Sequence, residues 1–185
     1  MLTEWGKKAL NVSTSSITGY TSGFGNTGVE GLIKAKRSDG EEFYICAWPA
    51  YSQLQILTSV RATGGDSGYV VGSGNKAESD QDYALDNMLT NISGTCSFAT
   101  VTSVDGSYYG YRARLTITNI SQEEITIREV GKFCGFARVS NKGDIVSNVS
   151  NARSSFLIDR TLLSTPVTIP AGESRVVDYI MAFNV

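Results

Sequence analysis

The chain of 185 residues is 41% hydrophobic and 18% charged with 19 glycines, which fits one globular domain tilted toward β-structure and excludes dependence on disulfides or metal for stability. Its 16 basic and 18 acidic side chains leave a formal charge of −2 without a Lys/Arg cluster, so nucleic acid is not an expected partner. The absence of histidine removes imidazole metal sites, Ser-His-Asp and Cys-His nucleophile systems, and the commonest general base.

The amino-terminal "MLTEWGKKALNVSTSS" carries charges and lacks the apolar run of a signal peptide, and no later segment approaches the roughly 20 apolar residues that span a bilayer. A protein kept in the cytosol, or in a particle assembled there, with no membrane partner is expected. Thr3 as a cap ahead of Trp5 and Leu10 predicts a short helix over 3–10. Residues 11–31 are rich in Gly, Ser and Thr and read as extended, so 1–31 is expected to form an arm. Within it "GFGNTG", Gly23 to Gly28, has the spacing of a dinucleotide fingerprint. A phosphate cradle needs a buried strand before it and a helix after it; the polar residues up to Ser22 and the interruption at Gly31 supply neither, and no cofactor is expected.

Residues 32–185 read as a single β-sandwich domain. Leu32, Lys34 and Lys36 lead into Asp39-Gly40, a hairpin signal, and the chain returns through Phe43, Ile45 and Ala47. "YSQLQILTSVRA", 51–62, continues the period-two pattern, and a further strand follows around Tyr69 to Val71. Ser79 and Asp82 resemble a capping box, and Tyr83, Leu85, Met88 and Leu89 recur near helical spacing, so one short helix is predicted near 79–90. Beyond it Tyr111, Ala113, Leu115 and Ile117 alternate with Arg112, Arg114, Thr116 and Thr118 after an Asp105-Gly106 turn, and Ile125 and Ile127 open another strand after the polar turn 121–124. A polar segment, 137–155, reads as an insertion, and a closing hairpin bends at Pro170 to Ser174. Many short strands, frequent turns and no alternation with long helices predict an all-β fold: an antiparallel β-sandwich, jelly-roll-like, with the helix near 79–90 and the one at the amino terminus.

No residue set points to catalysis or metal binding. Cys46, Cys96 and Cys134 are far apart and read as buried free thiols. Asp80, Asp82 and Asp86 fit helix-terminus charge, and "DQD" lacks the remaining ligands of a calcium loop. Of Glu123, Glu124 and Glu129, only Glu129 is not expected to be solvated, because alternation with Arg128 turns one of the two inward or toward a partner. Tyr109 and Tyr111 share one strand face, and with Trp48 they suit either packing or a contact surface. Asp159 and Arg160 interrupt an apolar strand, so Arg160 must be paired, at an edge, or directed at another chain.

"LTITNISQEEITIREVGKF", 115–133, and "FLIDRTLLSTPVTIPAGESRVVDYIM", 156–181, resemble structural proteins of tailed bacteriophages. In these a strand ending T-N is followed by I-T-I-R-E-I-G, an L-L-D-R-T-x-L strand, and P-V-T-I-P-A-G-E-S before a terminal strand. "MLTEWGKKAL" and "VVGSGNKAESDQDYAL" are similar to further stretches of such proteins, so the likeness covers about half of the chain; the polar segment 137–155 departs from it. The resemblance implies a non-enzymatic virion component at the head surface, neck or tail, assembled in the host bacterial cytoplasm. Its partners would be copies of itself and other virion proteins, with Trp48, Tyr109, Tyr111, Arg128, Glu129 and Arg160 as candidate interface residues. The alternative readings are a carbohydrate-binding β-sandwich using Trp48 or Tyr109 and, more remotely, a hydrolase using carboxylates.

Overall fold

In a computed structural model, which describes residues 32–46, 68–102, 108–139 and 153–184, every regular element is a strand. The Asp39-Gly40 signal makes the predicted hairpin of β1 (Leu32–Lys36) and β2 (Glu42–Cys46). The Gly40 N–H donates to the Arg37 carbonyl at 2.9 Å, and Gly40 sits at φ 88°, where a side chain is disfavoured. β3 (Gly68–Gly72), β4 (Ile92–Thr102), β5 (Tyr108–Asn119), β6 (Ile125–Val139), β7 (Arg153–Ile169) and β8 (Ser174–Asn184) follow.

The strands form two antiparallel sheets packed face to face, the expected all-β sandwich. In the five-stranded sheet β6 is the hub, pairing with β2, β3 and β7, while β1 pairs β2; the three-stranded sheet runs β4-β5-β8. Alternation along β5 turns Ala113, Leu115 and Ile117 into the interior and leaves Arg114 and Thr116 in solvent. They meet Tyr69 and Val71 of β3, Ile127 and Val130 of β6, Ile169 of β7, and Val177 and Tyr179 of β8 in the main core. The Tyr69 ring packs edge-on against Tyr179, with centroids 5.5 Å apart.

Two expectations are corrected. The predicted helix near 79–90 does not form; residues 73–91 run irregularly over the outer face of the five-stranded sheet. Leu85 and Met88 join Val70, Phe133 and Leu157 in a second, smaller core, while Leu89 packs on the main one. The Leu89 N–H donates to the Val71 carbonyl, and the Ser73 N–H to that of Asn87, so the segment adds briefly to the end of β3 instead of closing helical turns. The closing hairpin is a crossover: β7 pairs β6 and β8 pairs β5, and Pro170 to Glu173 carry the chain from one sheet to the other.

Asn119, fully buried at the end of β5, locks that crossing. Its amide nitrogen donates to the carbonyls of Glu123 (2.7 Å) and Ile169 (3.0 Å), its Oδ1 accepts from the Ser121 N–H and hydroxyl, and its backbone carbonyl accepts from the Gly172 N–H. One side chain thus ties the β5–β6 turn to the β7–β8 turn. β6 and β7 also extend into both ends of the polar insertion, to Val139 and from Arg153. The arm 1–31 with its predicted helix and "GFGNTG", the predicted strand 51–62, the Asp105-Gly106 turn and 140–152 lie outside the described residues.

Candidate functional site

Among the described residues the densest polar arrangement is built on Arg160 of β7, whose side chain is 1% exposed. Its register partner on β6 is Gly131, where a Cβ would press on the Leu85 and Leu157 side chains at 2.8 and 2.9 Å. The guanidinium Nε donates to Glu129 Oε2 at 2.7 Å, and Nη1 to Asp82 Oδ2 at 2.8 Å. Nη1 and Nη2 also reach the carbonyls of Ala77 (3.3 Å) and Lys76 (2.8 Å).

Glu129 is as completely used. Oε1 accepts from the N–H groups of Gly74 and Asn87, and Oε2 from that of Asp86 as well as from Arg160. Four acceptances fill the capacity of a carboxylate. Glycine at 72 and 74 is what lets the backbone approach, since a Cβ at either would collide with Glu129 Oε1. Asp82 receives the Ser79 N–H at 2.9 Å and, from the solvent side, Lys76 Nζ at 3.3 Å. Burial opposes its charge, but the Ser79 N–H and the Arg160 guanidinium outweigh that and hold its pKa below the ordinary carboxylate value. Arg160 is desolvated too, and its bonds to Glu129 and Asp82 more than compensate, raising its pKa. Glu78 Oε1 accepts the Leu162 N–H at 2.7 Å, beside the β7 irregularity that contains Pro166.

The centre therefore orders chain: two carboxylates and a guanidinium fasten the 73–91 segment onto β6 and β7. Of the residues singled out from sequence, Glu129 is the inward member of its pair with exposed Arg128, and Arg160 is paired within its own chain. At 0% and 1% side-chain exposure neither presents its charge at this chain's surface. Tyr109 and Tyr111 stand on the β5 ladder opposite Phe183 and Met181, their side chains outside the described residues, as is Trp48. Asp82, read as a helix-terminus charge, is instead a partner of Arg160. The roles of Gly72, Gly74 and Glu78 were missed; the glycine pair "GSG" directly after a buried strand was the available signal for a close backbone approach.

Among the described residues, Asp159, Lys132 and Cys96 are interior as well. Asp159, 5% exposed, lies opposite Lys132 in the β6–β7 register; burial raises its pKa, and Lys132 Nζ lies 4.4 Å from the Tyr69 ring centre. Cys96 is a buried free thiol, and burial raises its pKa to about 11. A groove of about 410 Å³ runs between Met88–Ile92 and Ser121–Ile125. Among the described residues no three His, Cys, Asp or Glu side chains are grouped to hold a metal ion. Comparison of the chain with models of known protein families, with curated proteins and with solved structures gave no match.

Proposed function

We propose that this chain is a non-enzymatic structural protein of a bacteriophage virion, a β-sandwich that works by docking on copies of itself and on other virion proteins. The observation that carries this reading is the Arg160 centre. The three inner blocks of the resemblance, "VVGSGNKAESDQDYAL", "ITIREVG" and "LIDRTLL", meet there and supply Asp82, Glu129 and Arg160. Scattered strings that converge on one interlocked cluster are what a shared way of closing a fold requires.

The chemistry of that cluster supports shape-keeping over turnover. A general acid or base needs a free proton site within reach of a substrate. Here every oxygen of Glu129 is spent on N–H donors, and Asp82 is held ionised by Ser79 and Arg160. Rigid modules of this sort bind by repeated surface complementarity, each standard contact covering roughly 800 Å² per partner and gaining from avidity in a ring or lattice.

The test is to raise an antibody against the purified chain and probe density-purified particles from cultures that carry its gene. Co-sedimentation with particles, loss on gene deletion and restoration by added protein are expected. Recovery of the chain only in the particle-free fraction would overturn the proposal, as would glycan-array binding without particle association, which would favour the adhesive alternative.

A further inference from the structure

We propose that β8 is a self-association strand: two copies join β8 to β8, antiparallel, about a two-fold axis at Asp178, merging their three-stranded sheets into one continuous sheet. This deepens the assembly reading above and rests on it.

β8 is the edge of its sheet, and among the described residues no strand pairs with its outer side. The Asn119 N–H donates to the Glu173 carbonyl at 3.0 Å, and the β5–β8 register continues from there without a shift. Hydrogen bonds in an antiparallel ladder fall on alternate residues. Those to β5 are therefore made by Arg175, Val177 and Tyr179, and the main-chain groups of Val176, Asp178 and Ile180 point away from the sheet.

Edge strands are ordinarily blunted by shortness, lysine, proline or a bulge. β8 has 11 residues and contains neither Lys nor Pro, and its register shows no bulge. Its two charges are already engaged within the chain, Arg175 with Glu173 at 2.8 Å and Asp178 with Arg114, whose Nε and Nη2 donate to its two carboxylate oxygens at 2.8 and 2.9 Å. Between these charges stand Val176 and, beyond Asp178, Ile180, at 53% and 51% exposure two of the three exposed large hydrophobic residues described. The opposite edge, β4, presents Ser93, Thr95 and Ser97 on the same face.

A second copy is the occupant because the strand complements itself. Antiparallel pairing about Asp178 sets Val176 opposite Ile180 of the other copy, and Ile180 opposite its Val176, on one face and at the residues whose main-chain groups are available. Directly opposed β-branched pairs are favourable cross-strand neighbours. The two Asp178 carboxylates meet at the axis, each held by its own Arg114 with Arg112 adding positive charge nearby, so the axis gathers no net negative charge.

Sedimentation equilibrium of the full chain tests this. Wild type is expected to dimerise, and Val176→Lys or Ile180→Lys to raise the dissociation constant at least about tenfold. Ile120→Lys, at an exposed site away from β8, should leave it unchanged, and unaltered circular dichroism shows that each variant folds. Mixing Val176→Cys with Ile180→Cys under mild oxidation should give a disulfide-linked pair that neither variant gives alone. Wild type that stays monomeric at high micromolar concentration yet binds particles overturns the β8 inference and leaves the virion proposal standing. A dimer insensitive to both lysine variants likewise overturns it, whereas a β8 dimer with no particle association supports it and sinks the virion proposal.

Discussion

Arg160 shows how a single charge in an apolar strand is accommodated. Sequence could state the requirement, because an unpaired buried guanidinium is prohibitive, but not the partners: Glu129 and Asp82 lie 31 and 78 positions away. Removing one member leaves the others desolvated, so Arg160→Ala or Glu129→Ala should lower the unfolding free energy by about 3–5 kcal/mol in urea titrations. Arg114→Ala, which breaks the solvent-facing and screened pair with Asp178, should leave the urea midpoint nearly unchanged in the same assay. Acid dependence follows from Asp82. Its folded pKa lies below the ordinary 3.8, so its contribution is complete above that value and is lost as pH falls through the lower folded one. Urea midpoints measured from neutral pH downward should drop in that acid window, and Asp82→Asn should be less stable at pH 7 but show a flatter acid limb.

At the level of elements, period-two alternation was legible wherever a strand has one wet face, as along β5, and the Asp39-Gly40 hairpin was legible from turn chemistry alone. The 79–90 helix was misread because Ser79 and Asp82 do make the local contact of a cap, the Ser79 N–H reaching Asp82 Oδ2, while the next amides go elsewhere. Those of Asp86 and Asn87 are taken by Glu129, which a helix would have bound to its own carbonyls. Two glycines separate steric from conformational need. Gly72→Ala would place a Cβ 2.6 Å from the Asn87 carbonyl and against Glu129, and should destabilise by about 1–3 kcal/mol or more through overpacking. Gly172, at φ 75° with open space around it, should lose about 1–2 kcal/mol on Gly172→Ala from backbone conformation alone. Restoring stability with Gly172→Asn but not with Gly72→Asn, read by thermal melts, would separate the two causes.

Across the whole molecule, stability rests on a main core to which every strand from β3 to β8 contributes, and on a smaller one under the 73–91 segment. Leu115, fully buried at its centre, should cost about 2–5 kcal/mol when cut to alanine, read from the shift in urea midpoint at constant slope. By itself, the sequence determined the fold class, the β1–β2 hairpin, the inward face of β5 and the need to neutralise Arg160, because each follows from neighbouring residues or from the cost of burying a charge. Only the tertiary structure decided that β7 and β8 part into opposite sheets, that Asn119 ties their turn to the β5–β6 turn, and that Asp82 pairs with Arg160 in place of capping a helix. Those outcomes depend on which distant main-chain donors and charges come within hydrogen-bond reach once two sheets close on one another, and local periodicity carries no information about that distance.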